Sequence, residues 1–78
     1  MNVQRGVILY TRRGCHLCEE AADTLAGHGL EFESVDIDAD PELVRQYDTC
    51  VPVVRIDGVV RFRGRVDRVL LARLLRRR

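Results

Sequence analysis

No apolar run in this chain exceeds four residues, far short of the roughly 20 that a bilayer-crossing helix needs. The N-terminus also lacks the look of a secretion signal, because Val7-Ile8-Leu9-Tyr10 stops at once against Arg12-Arg13. Neither sign of charge is in excess: 13 basic residues face 12 acidic ones, for a net charge of +1. That balance argues against a general nucleic-acid binder, which would be clearly basic. Lysine is missing altogether, and the all-arginine cation set reads as codon usage more than chemistry. Internal repeats, low-complexity tracts and linkers are absent, so residues 1–78 are expected to form one domain. Nor do the cysteines suit a disulfide framework, since there are three and two of them lie only three residues apart. The expectation is a soluble, monomeric, cytoplasmic protein that binds neither membrane nor nucleic acid and uses its cysteines for redox or metal chemistry.

What is present is a globular composition, 46% hydrophobic and 32% charged. A domain this short buries only about 60% of its unfolded surface, so its core is small. Gly6 to Tyr10 reads as a central strand covered on both faces. After the loop Thr11 to Gly14, helical spacing begins at Cys15 and runs through Cys18, Ala22 and Leu25, with Gly27 and Gly29 ending the helix. Glu31 to Ile37 reads as a second strand whose alternation changes parity between Phe32 and Val35, through either a bulge or burial on both faces. Asp40-Pro41-Glu42 starts a short helix, with Asp40 as N-cap and Pro41 at the first position, ending near Tyr47. Val53 to Ile56 and Val59 to Phe62 flank Asp57-Gly58, a strong hairpin signal. Arg61 and Arg63 alternate with Val60 and Phe62, which predicts an edge strand with one wet face. Val66, Val69, Leu70 and Leu74 predict the apolar stripe of a last helix ending in Arg76-Arg77-Arg78. The order βαβαββα predicts an α/β fold: a four-stranded mixed sheet, its first crossover parallel and right-handed, with helices on both faces.

Cys15-His16-Leu17-Cys18 falls where the first strand hands over to the first helix. At a helix N-terminus, unpaired N–H groups and the helix dipole favour a thiolate. Cys18 lies one turn on, on the same face, so the two sulfurs can bond with little movement. A protonated His16, with Arg12 or Arg13 from the preceding loop, would stabilise the Cys15 thiolate further. The plainer reading makes Arg12 and Arg13 solvated loop charges. Cys50-Val51-Pro52 opens the third strand, and a proline there marks a strand start or an edge. Cys50 is either a small buried hydrophobe or a thiol near the motif. His28 sits between two glycines at a helix end, where its charge would suit the dipole.

These motifs together resemble the glutaredoxin-like branch of the thioredoxin superfamily, over nearly the whole chain. Val7-Ile8-Leu9-Tyr10 runs into Gly14-Cys15-His16-Leu17-Cys18, then Val35-Asp36-Ile37-Asp38, Val51-Pro52-Val53, Phe62-Arg63-Gly64 and an amphipathic last helix. The C-H-L-C motif and the R-G-x-V-D ending are similar to those of a small bacterial subfamily of glutaredoxin-like proteins. The resemblance implies a minimal thioredoxin fold, with Cys15 as nucleophile and Cys18 as resolving thiol. It implies that Pro52 is cis and faces the cysteines, and that the backbone at Val51 receives an extended substrate. Cys50 stands where the family's T-V-P motif has threonine. Only Gly64 remains of the paired glycines usual before the last helix, with Asp67 as the nearest acid, a departure from the family's glutathione site that leaves glutathione use open. If the site is kept, Gly64 and Asp67 would hold the γ-glutamyl end and Arg12 or Arg13 would pair a carboxylate. The expected activity is thiol–disulfide exchange on protein or small-molecule disulfides. It needs no bound organic cofactor and is recycled by glutathione or by a thioredoxin-type reductase.

Two other classes are carried alongside. Cys15, Cys18, Cys50 and His16 could ligate zinc or an iron–sulfur cluster, although structural zinc sites usually bring a second ligand pair at close spacing. A redox-inactive interaction domain that kept the fold is the third, against which stands the presence of both motif cysteines.

Overall fold

Strand β1 (Val7–Thr11) opens on three aliphatic residues followed by Tyr10 and Thr11, and it lies inside the sheet, where both of its faces are covered. The computed structural model describes residues 6–76, so Arg77 and Arg78 of the expected basic terminus lie outside the described residues. Helix α1 (His16–Gly27) follows, then β2 (Glu33–Asp36), α2 (Pro41–Tyr47), β3 (Val53–Ile56), β4 (Val59–Arg63) and α3 (Arg68–Arg76). The sheet order is β2-β1-β3-β4, with β1 parallel to β2 and antiparallel to β3. This is the thioredoxin fold in its minimal mixed form. No helix among the described residues is long and apolar enough to cross a membrane.

Each helix starts and stops for a local reason. Helix α1 ends in a Schellman arrangement: the Gly29 amide donates to Ala26 and the Leu30 amide to Leu25, with Gly29 at φ 74°. Leu30 then packs on the cluster that holds Leu25. The Nδ1–H of His28 donates to the Thr24 carbonyl at 2.9 Å, satisfying one of the last-turn acceptors. Helix α2 opens as expected, with Asp40 accepting from the Glu42 amide at 2.9 Å and Pro41 in the first turn. The hairpin between β3 and β4 turns through Asp57 and Gly58, both at positive φ (53° and 84°), as a two-residue type I′ turn requires.

The core lies on both sides of the sheet. On one side Val7, Leu9, Val54 and Ile56 meet Ala21 and Leu25 of α1 and Leu71 of α3. On the other, Tyr10 and Val53 meet Ile37, Tyr47 and Val51, with Leu43 and Val44 of α2 packed against them. The Tyr10 and Tyr47 rings lie 4.9 Å apart between centroids, a tilted pair that anchors the end of α2 to β1.

Three expectations change and one open alternative is decided. The second strand is shorter than Glu31 to Ile37, because Asp36 accepts from the Asp38 amide and bends the chain into a 3-10 turn at Ile37–Ala39. Its parity change reflects burial on both faces: Phe32 packs with the α1 side and Val35 with the α2 side, while the register Ile8↔Glu33 to Thr11↔Asp36 runs unbroken. Strand β4 is an edge as expected, but it does not keep one dry and one wet face. Val54 pairs Phe62 while Arg55 pairs Val60, so a bulge at Arg61 sends Val60 and Phe62 to opposite faces. In α3 half of the expected stripe holds: Val66 and Leu74 face the core, but Leu71 is buried there with Leu75 beside it, whereas Val69 and Leu70 are 64% and 48% exposed. Val66 precedes the helix and meets Leu71 in the same cluster, a staple across the N-terminus.

Candidate active site

Cys15 is the N-cap of α1. Its backbone is extended (φ −95°, ψ 106°) and its Sγ accepts from the Cys18 amide at 3.1 Å, where a serine or aspartate oxygen would otherwise cap the helix. The Cys15 carbonyl accepts from the Glu19 amide, the first helical bond. The cysteine sulfur that a partner would meet is therefore held at the positive end of a helix dipole by a backbone donor. Cys15 and Cys18 are at disulfide distance, with Cα atoms 5.2 Å apart. Cys15 is half-buried, while Cys18 is only 4% exposed. One sulfur is thus reachable and the other sheltered.

The Val51-Pro52 bond is cis, Pro52 is fully buried, and Val51 packs in the same cluster as Cys15 and Cys18. Gly64, at φ 80°, donates its amide to the Pro52 carbonyl at 2.7 Å, so the end of β4 is tied to this loop. Cysteines, Val51, Pro52 and Gly64 are thereby brought together. Asp67 comes three residues later, and its Oδ1 accepts from the Val69 and Leu70 amides at 2.8 and 3.1 Å. It is the N-cap of α3. Asp67→Ala should cost about 1 kcal/mol of stability and Asp67→Ser much less. Urea unfolding checks this separately from any ligand role.

Arg12 is more than a solvated loop charge. Its guanidinium bridges two turns, meeting Asp38 at 2.8 Å and both the side chain (3.2 Å) and carbonyl (3.3 Å) of Asp48. Asp48 opens the 3-10 turn Asp48–Cys50 that leads into Val51-Pro52. Arg12 therefore ties the end of β1 to the turn that leads into Val51-Pro52. Arg13 is exposed, and its charge adds to the field on Asp38. His16 is exposed at the first residue of α1, and Cys50 is an exposed free thiol, so the buried-hydrophobe reading of Cys50 is set aside.

The hydrogen bond from Arg12 holds the Asp38 carboxyl below the ordinary aspartate range, against desolvation and with help from the charges of Arg12 and Arg13. Because folding lowers this pKa, the stabilisation is complete above the unfolded aspartate value of about 3.9 and fades as pH falls through the lower folded value. Arg12→Ala should therefore lower the urea midpoint at neutral pH, with the gap to the parent protein narrowing below about pH 4. A constant gap across that range would mean that Asp38 is not the partner that matters.

Sequence reasoning missed a groove of about 480 Å³ beside the motif, between Leu17, Glu20 and Thr24 of α1 and Arg65, Asp67 and Arg68 ahead of and within α3. Leu17 is 40% exposed at its mouth. Its two walls are far apart in the chain, so no local pattern announces it. Among the described residues, no three His, Cys, Asp or Glu side chains converge as a metal site, so Cys15, Cys18, Cys50 and His16 do not assemble one.

Comparison with known proteins agrees with this geometry. The family model described as "Glutaredoxin-like domain (DUF836)" matches residues 6–76. Protein Ne2328 from Nitrosomonas europaea is similar at 30% identity, over 95% of this chain and 98% of that one, with TM-score 0.79. Protein XcR50 from X. campestris is similar at 38% identity, over 90% and 95%, with TM-score 0.76. Glutaredoxin 1 from Francisella tularensis, in complex with cacodylate, shares the fold at 21% identity, over 94% and 99%, with TM-score 0.74. The "Gene 56 protein" of Mycobacterium phage L5 is 44% identical over 36 residues, which is 46% of this chain and only 35% of that protein. With the match running through both cysteines and the Val51-Pro52 loop, the chain belongs to the glutaredoxin-like domain family.

Proposed function

We propose that this protein is a cytoplasmic thiol–disulfide oxidoreductase that reduces protein or small-molecule disulfides through the Cys15–Cys18 couple. The observation that carries this reading is the pairing of a reachable Cys15 sulfur, capped by the Cys18 amide, with a buried Cys18 at disulfide distance. The Cys15 thiolate attacks one sulfur of the substrate disulfide, and the other sulfur leaves as a thiolate and takes a proton. Cys18 then loses its proton and attacks Cys15 in the mixed disulfide, releasing the second substrate thiol. Two electrons have passed to the substrate, and the Cys15–Cys18 disulfide remains. Two molecules of glutathione, becoming glutathione disulfide, or a thioredoxin-type reductase return the pair to dithiol. With Arg12 engaged by Asp38 and Asp48, Arg13 is the loop arginine left to pair a glutathione carboxylate, and Gly64 and Asp67 remain the proposed site for the rest of the tripeptide.

The test is reduction of a model disulfide with glutathione plus glutathione reductase, and separately with NADPH plus thioredoxin reductase. Turnover with glutathione makes the protein a glutathione-dependent enzyme. Turnover only with the reductase makes it a thioredoxin-like carrier. Silence with both overturns the reading.

A further inference from the structure

The chain's charge balance hides a segregation. Ten of its twelve acidic residues precede Val51, and nine of its thirteen arginines follow it. Among the described residues, Arg61, Arg63, Arg65, Arg68, Arg73 and Arg76 make no ion pair. Between β4 and α3 lies a groove of about 430 Å³ lined by Arg61, Phe62, Leu70, Arg73, Leu74 and Arg76. Its charged lining is wholly cationic, and Phe62, Leu70 and Leu74 supply the apolar part. Leu70 is 48% exposed there, and Val69 next to it 64% exposed. Arginines on an edge strand discourage strand pairing, which accounts for Arg61 and Arg63. It does not account for two large aliphatics set outward on α3 between Arg68 and Arg73.

We infer that the β4–α3 groove is a docking site for an acidic segment of a partner protein that seats a large apolar side chain over Phe62 and Leu74. Charge complementarity selects the partner's sign, and the apolar part selects a protein over a purely anionic polymer. A nucleic-acid backbone would gain the arginines but leave Leu70 in water. This surface is independent of the cysteines, so the inference stands or falls apart from the redox reading.

The experiment is fluorescence anisotropy with a labelled synthetic peptide carrying a leucine pair flanked by glutamates. The comparison ligands are its Leu→Ser version, a polyglutamate chain, a single-stranded oligonucleotide and phosphatidylserine vesicles. The peptide is expected to bind, weakening as salt rises, and to lose affinity at least about tenfold with Leu70→Ser or with Arg73→Glu/Arg76→Glu. Because these side chains are exposed on the helix surface, the variants should keep the parent's circular dichroism. Cys15→Ser should bind as the parent does. No binding, equal binding of polyglutamate or the Leu→Ser peptide, indifference to both groove variants, or tighter binding of the oligonucleotide or vesicles would each overturn the inference.

Discussion

Cys15→Ser is expected to bring disulfide reduction down to the uncatalysed background, a loss of several orders of magnitude. Serine keeps an oxygen that can cap α1 at the Cys18 amide, so the helix and the fold should survive the change. The loss would then belong to chemistry and not to unfolding. Cys18→Ser should behave differently. Its nucleophile remains, but the adjacent resolving thiol is gone. In the absence of glutathione a substrate-linked species should therefore accumulate and be visible by mass spectrometry under non-reducing conditions, with Cys50→Ser added to remove the remaining thiol. If Cys18→Ser left no such adduct while Cys15→Ser did, the two roles would be reversed. If both variants turned over like the parent, the couple would not be the redox centre.

The second large effect concerns the phase of α3. Leu71→Ala should cost about 2–5 kcal/mol, because the side chain is fully buried between α3 and the sheet and its removal leaves a cavity. Against the roughly 5–15 kcal/mol that holds a typical domain together, that is a large share. Leu70→Ala and Val69→Ala, one and two residues away, should lie within about 0.5 kcal/mol of the parent. Chemical unfolding of the three variants reads the helix phase directly. A large loss at Leu70 with none at Leu71 would contradict the packing described above.

Much of the fold follows from local signals. Asp40-Pro41, Asp57-Gly58 and the aliphatic run of β1 each carry their own reason, because a cap, a two-residue turn and a doubly covered strand are decided by neighbouring residues. The cysteine pair was legible for the same reason, since a spacing of three on a helix start leaves few readings. What was not legible depends on contacts made at a distance. Arg12 meets partners 26 and 36 residues away, and nothing near it in sequence distinguishes a clamp from a loop charge. In α3, Val66 and Leu74 of the expected stripe do face the core, but between them the run from Val69 to Leu75 offers more than one regular stripe, and Leu71 takes the buried place expected of Val69 and Leu70. The Asp67 cap settles the matter, because it starts the helix after Val66 and turns Leu71, Leu74 and Leu75 inward. The bulge at Arg61 is a third case, since perfect alternation in sequence cannot show an unpaired residue in the ladder.

The sulfur that caps α1 is also the sulfur assigned to attack substrate, and one backbone amide is bonded to it. That amide is consequently a built-in reporter. Where Cys15 is a thiolate it would face a negatively charged acceptor, and in the disulfide or a mixed disulfide a neutral one, a change that shifts a proton resonance and alters its exchange with solvent. The Cys18 amide signal in a heteronuclear spectrum would therefore follow the charge on Cys15 through every stage of turnover, without a label on either thiol.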